Sequence, residues 1–260
     1  MPSCENFNVS QNGESVTVVL EQARAELAPT GVLRAAINLA NFLLITGRSG
    51  SGDPEGVGPD LARAVADRLG VEVAYVSFDT PGEVADSVAD DVWDIATIGA
   101  EPERAKTITF TPAYVEIEAT YLVPAGSSIR DVQEVDREGV RIAVSARSAY
   151  ELWLSDHIQH AEIVMANGLD ASFDLFKEHN LDALAGLRPK LMTDVEKLPG
   201  ARILDGKFTA VQQAVGARPE ALVGAAFLRD FVEEAKSSGL IASLMDKHGV
   251  SGQFTVAPAA

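Results

Sequence analysis

Asp156-His157-Ile158-Gln159-His160 sets two imidazoles three residues apart. That spacing can turn both toward one metal ion from the side of a helix; the plainer alternative is a solvated helix end. Ser148 stands where a strand-like run, Arg141 to Ser145, gives way to a helix-like one. A helix starting there would offer the backbone N–H groups of Arg147, Ser148, Ala149 and Tyr150, with the Ser148 hydroxyl, to an anion. Equally, Ser148 could be an ordinary N-cap. Other chemical signals are sparse. There is no Walker phosphate loop, no G-x-S-x-G and no CxxC, and His179 and His248 stand alone beside turns. No metal or other cofactor is expected.

Composition excludes further classes. Acidic residues outnumber basic ones 38 to 21 and the formal charge is -17, the opposite of the basic face that phosphate backbones require. No nucleic-acid partner is expected. One cysteine, Cys4, rules out an internal disulfide. No run approaches the ~18 apolar residues of a membrane helix, so no membrane insertion is expected. The polar start, Met1 to Ser15, has neither the basic nor the apolar region of a signal peptide. The expectation is therefore a cytoplasmic chain, or a periplasmic or extracellular one if the natural N-terminus differs.

The elements that must hold these groups follow from periodicity. Residues 1–29 read as a polar arm with a short helix, Val16 to Ala28. Val32 to Asn38 reads as a buried strand and Gly47 to Gly58 as a turn or hairpin tip. Pro59 to Leu69 carries Leu61, Val65 and Leu69 on one helical stripe, with Gly70 placed to end it. Val71 to Phe78 alternates as a strand does, Pro81 to Asp90 is a short helix, and Trp93 to Ile98 is another strand. Strands alternating with helices predict a parallel sheet covered on both faces. Ligands then lie beyond the carboxyl ends of the strands, near the loops after Ile37 and Ile98. A second block repeats the pattern from Arg141 to Leu204, and Pro219 to His248 is helical.

Four segments in order carry a family resemblance: GVGPDLARAVADRLGVEVAYV (Gly56 to Val76), ERAKTITFTPAY (Glu103 to Tyr114), RIAVSARSAYELWL (Arg141 to Leu154) and LDALAG (Leu181 to Gly186). Together they resemble the solute-binding proteins, family 3, of polar amino acid ABC transporters. The resemblance implies an α/β, two-lobed periplasmic-binding-protein-like fold of type II. It implies a first lobe of residues 30–117 and 215–260 and a second lobe of 118–214. A hinge of two crossover strands would fall near Glu118 to Pro124 and Phe208 to Gly216.

The same resemblance makes Arg104 the two-pronged partner of a ligand carboxylate; a surface ion pair with Glu101 or Glu103 is the alternative. It places Asn41, with Phe42 beside it, at a ligand-lining position, where an amide suggests a ligand bearing a further hydroxyl, amide or carboxylate. Two departures bear on the ligand. The acid that pairs with an amino acid's ammonium falls at Leu187, followed by the cation Arg188, and a hydroxyl-bearing position falls at Gly99. An uncompensated ammonium in a closed cleft is costly. The expected ligand is thus a small carboxylate other than a plain α-amino acid, and an ABC transporter permease is a possible partner. The alternative is a cyclohexadienyl-dehydratase-like lyase on the same fold, with Glu101, near the anchor, or Glu116 or Glu118, near the crossover, as its acid or base. A ligand-sensing module is a third reading.

Overall fold

The computed structural model describes residues 8–260; Cys4 lies outside them. Helix α1, Asn8–Leu27, starts well before the expected Val16 and is followed by β1, Val32–Asn38. Short strands β2 (Gly47–Arg48) and β3 (Pro54–Glu55) form the hairpin expected from the Gly- and Ser-rich stretch. Then come α2 (Val57–Leu69), β4 (Glu72–Phe78), α3 (Pro81–Asp86), β5 (Ile95–Gly99), β6 (Thr109–Phe110) and β7 (Val115–Val123). The second block comprises β8 (Arg141–Ser145), α4 (Ala149–His157), β9 (Glu162–Ala166), α5 (Leu169–Glu178), β10 (Ala183–Leu187) and α6 (Arg188–Val195). Strands β11 (Arg202–Ile203) and β12 (Thr209–Ala217), helices α7 (Leu222–Ser237) and α8 (Leu240–Lys247), and β13 (Thr255–Val256) complete the chain.

The main sheet has the order β4-β1-β5-β12-β7-β10-β8-β9. Two parallel sets, β4-β1-β5 and β10-β8-β9, are joined through an antiparallel pair. Strand β12 runs antiparallel to β5, and β7 antiparallel to β10. The segments expected as crossovers, 118–124 and 208–216, largely coincide with β7 and β12. Each parallel strand feeds a helix, so its carboxyl end opens into a loop at one edge of its set. Both sets turn those edges toward a common space.

Helix α2 illustrates how pattern becomes packing. Leu61, Val65 and Leu69 are fully buried as the stripe predicts, and Gly70 ends the helix in the left-handed region at φ 69°, where a side chain would be strained. Helix α1 is bound into this layer rather than trailing from it. Ala23 and Leu27 are fully buried, Arg24 Nε donates to Leu69 O at 2.7 Å, and Glu26 accepts from the Gly224 amide at 2.8 Å. No helix among the described residues is long and apolar enough to cross a membrane.

The base of the first parallel set is pinned by a carboxylate whose side chain is wholly buried. Asp94 accepts from the amide, Nε and Nη2 of Arg34 at 2.8, 3.0 and 2.7 Å. These bonds tie β1 to the entry of β5, and hold the Arg34 guanidinium above its ordinary pKa. Removing Asp94 leaves Arg34 the exposed Asp91, at 2.9 Å, as its one ion-pair partner among the described residues, and strips the β1–β5 tie of its buried acceptor. Asp94→Ala is expected to lower unfolding free energy by about 3 kcal/mol, read as a fall in the urea midpoint with an unchanged slope.

Candidate functional site

A cavity of ≈ 440 Å³ lies where the strand ends converge. The first parallel set contributes Asn38, Ala40 and Asn41 after β1, Asp79, Thr80, Pro81 and Glu83 after β4, and Gly99 and Arg104 at the end of β5. Facing them are Ser145 to Tyr150 after β8, Asn167 to Leu169 after β9, and Leu187 at the end of β10. Val211 and Gln213 of β12 close one side. All six strands of the two parallel sets thus deliver their carboxyl ends, as an open α/β sheet requires.

Arg104 opens a single tight turn after β5 and is only 4% exposed. Its Nη1 donates to Gly99 O at 2.9 Å and its Nη2 to Arg147 O at 3.0 Å. It forms no ion pair with any described carboxylate. Burial pulls its pKa down to about 10, opposed by the nearby Glu101 charge, so the guanidinium stays protonated at neutral pH. A buried cation held by two carbonyls and facing a cavity is an incomplete electrostatic arrangement.

Gly99 leaves the space this arrangement needs. A Cβ there would sit 3.0 Å from Ala149 Cβ, 3.2 Å from Val211 Cγ1 and 3.3 Å from Arg104 Nη1. Ser148 is the N-cap of α4, accepting from the Glu151 amide at 3.1 Å. Glu151 in turn accepts from the Arg147 amide at 2.8 Å and from Ser155 Oγ at 2.7 Å, while the Ser148 amide donates to Ser145 O. Two of the four amides named from sequence are therefore already engaged. Those of Ala149 and Tyr150 remain as the free donors of the helix start.

Arg147 lies in the left-handed region at φ 59°. Its guanidinium spans the cavity mouth to α3, pairing with both carboxylate oxygens of Asp86 at 2.7 and 2.9 Å and with Gly82 O at 3.3 Å. With the Arg104 bond to the Arg147 carbonyl, this joins the two sides of the cavity directly.

Two residues named from sequence stand elsewhere. Phe42 is 37% exposed and does not line the cavity, while Asn41 beside it turns inward. Arg188 is also outside the lining. Register places Leu187 opposite Ala119, which brings Arg188 to Glu118, where Nε pairs with the carboxylate at 2.9 Å; Nη2 donates to Gly206 O. Glu118 also pairs with Lys207.

Of the acids considered for catalysis, Glu116 lies on β7 opposite Gln212 and Thr255. Glu101 is buried beside Arg104 but does not line the cavity. Burial pushes its carboxyl up to about 7, with Arg104 opposing and Asp156 reinforcing. The histidine pair is split: α4 ends at His157, whose ring stacks on Trp153 at 3.9 Å, and His160 lies beyond the helix.

Sequence reasoning missed the lining residues Asp79, Thr80 and Gln213, and of Tyr150 it named only the backbone amide. Gln213 had a usable signal. Val211, Gln213 and Val215 alternate onto one buried face of β12, and a glutamine among valines there is out of place unless something uses it.

A family model of bacterial extracellular solute-binding proteins, family 3, matches residues 43–251. Among solved structures, a mutant of ArgBP from T. maritima is 22% identical, with a TM-score of 0.69 over 87% of this chain and 99% of that one. A solute receptor for L-cysteine of Neisseria gonorrhoeae is 16% identical, with a TM-score of 0.72 over 91% and 99%. The ancestral amino acid-binding protein AncCDT-1, a precursor of cyclohexadienyl dehydratase, is 20% identical, with a TM-score of 0.69 over 85% and 96%. These share the two-lobed α/β fold. No curated protein matches the chain.

Glu101 gives the site a pH signature. Because burial raises the folded-state pKa from the ordinary 4.5 to about 7, the folded chain holds a proton that the unfolded chain has lost across that window. Stability then falls as pH rises from about 4.5 to about 7 and levels off above it. Glu101→Gln should remove this component, so that the difference in urea midpoint between variant and parent grows over that interval and is constant beyond it.

Proposed function

Because this chain belongs to the bacterial extracellular solute-binding proteins, family 3, we propose that its cavity binds a small carboxylate whose charge is completed by Arg104. The observation that carries this reading is the absence of any described counter-ion for a guanidinium that is 4% exposed and faces the cavity. Carboxylate geometry suits the fork of a guanidinium, and a charge-assisted pair in a dry cleft is worth more than in water. The amides of Ala149 and Tyr150 supply a second set of donors to the same anion from the opposite side.

In this reading residues 30–117 with 215–260 and residues 118–214 act as two lobes that close on the ligand, with β7 and β12 as the hinge. Contacts made from both sides bias such an equilibrium toward closure. The Arg147 pair with Asp86 and the Arg104 bond to the Arg147 carbonyl belong to the closed form. A permease of an ABC transporter is the partner that a family member of this kind would deliver to.

The ligand we propose is not a plain α-amino acid. No acidic residue lines the cavity from the β8, β9 and β10 side, and Leu187 occupies the end of β10. On the opposite side Glu83 is engaged with the amides of Asp79 and Thr80. An ammonium placed beside the carboxylate would find on that side only the solvent-exposed Asp79 as a free counter-charge, which water screens.

Proton NMR of the protein mixed with pooled small carboxylates tests the reading. Broadening of one component at constant total amount is the expected result, and steady conversion of a component into a new species would make the chain an enzyme instead. Arg104→Met is expected to weaken the selected ligand by at least about 100-fold by calorimetry, since a truncated charge pair costs about 3 kcal/mol or more.

A further inference from the structure

We infer that Gln213 and Asn41 form a neutral hydrogen-bonding subsite that selects a hydroxyl-bearing monocarboxylate, a deepening that rests on Arg104 holding the carboxylate. Both side chains line the cavity, and both are at least nine-tenths buried, at 5% and 9% exposure. Gln213 Oε1 and Asn41 Oδ1 each lack a hydrogen-bond partner. A buried polar atom left unmet is costly, and with the unpartnered Tyr150 hydroxyl there are three in one lining, a set that a ligand group able both to donate and to accept would complete.

Their placement relates them to the anchor. Gln213 pairs with Gly99 across β12 and β5, and the Gly99 carbonyl holds Arg104 Nη1. The amide therefore starts one strand away from the carboxylate site. Asn41 lies in the turn after β1, where its backbone carbonyl accepts from the amides of Leu44 and Ile45. Those bonds fix the turn that sets Asn41 in the cavity wall, with its Oδ1 buried there.

Charge decides among ligand classes. Among the described residues, the one cation in the lining besides Arg104 is Arg147, and it is bound by Asp86. A second ligand carboxylate would find no free cation, and Asp79 at the rim would repel it. A ligand ammonium would meet two neutral oxygens where it needs a counter-charge. Hydroxyl groups fit: they donate to amide oxygens, and each amide N–H₂ can donate back to a hydroxyl oxygen.

The test measures affinity by calorimetry for lactate, glycerate and gluconate, their unhydroxylated counterparts propionate and hexanoate, the dicarboxylates succinate and adipate, and alanine and glutamine. Parent, Gln213→Met, Asn41→Leu and Arg104→Met proteins are compared. A hydroxy acid should bind tightest, at least about tenfold above its unhydroxylated counterpart, and should lose at least about tenfold in Gln213→Met. The unhydroxylated acid should lose less than about twofold in that variant. Without ligand, Gln213→Met should melt at or above the parent, because it removes a buried unmet oxygen; a merely structural glutamine would melt lower. Tightest binding by an amino acid or dicarboxylate, an unchanged hydroxy-acid affinity in Gln213→Met, or binding by no member of the panel would each overturn the subsite. If Gln213→Met has no effect while Arg104→Met abolishes binding, the subsite fails and the carboxylate reading stands; if Arg104→Met also binds normally, both fail.

Discussion

A buried guanidinium with no ion-pair partner among the described residues is the constraint on which this structure turns. Arg104 donates to two carbonyl oxygens, those of Gly99 and Arg147, and these come from opposite sides of the cavity. Carbonyl dipoles soften the desolvation of a cation without neutralising it. Gly99 has no side chain, Ser148 and Glu151 hold the start of α4, and Asp86 takes up the competing charge of Arg147. In the proposed reading, these features leave a position beside Arg104 for an anion.

The sheet supplies the frame for that position. Two parallel sets present their carboxyl ends to one space because an antiparallel pair, β12 and β7, reverses direction between them. Every loop that follows a parallel strand then reaches the cavity, and β12 itself adds Val211 and Gln213. The acidic surface of the chain, at a net charge of -17, does not prevent anion binding, since a buried cation dominates the field within a low-dielectric cleft.

Much of this was legible in the sequence, and what was not has identifiable causes. Alternation and helical stripes gave the parallel strands and α2, because half-buried strands and amphipathic helices carry their own period. Strands β7 and β12 alternate only over part of their length, Val115 to Ala119 and Val211 to Gln213, and are buried on both faces beyond it; only the family resemblance located them. The extent of α1 was missed since its polar sequence has little stripe, and its hold on the domain comes from single contacts such as Arg24 to Leu69. Of the residues expected at the site, Arg104, Asn41, Gly99, Arg147, Ser148 and Ala149 line the cavity. Phe42 was misplaced because a tight turn sends neighbours in opposite directions. Arg188 looked like a second ligand cation, yet its cross-strand register with Glu118 was invisible without the sheet pairing.

The central claim is that a ligand carboxylate completes Arg104. It is tested most directly by comparing the tightest-binding acid from a pool of small carboxylates with its own methyl ester, by calorimetry at neutral pH. The two differ in charge at one group and little else. The account predicts that the ester binds at least about 100-fold more weakly. Equal affinity of acid and ester would contradict it, and would mean that Arg104 is a structural cation satisfied by Gly99 and Arg147 alone.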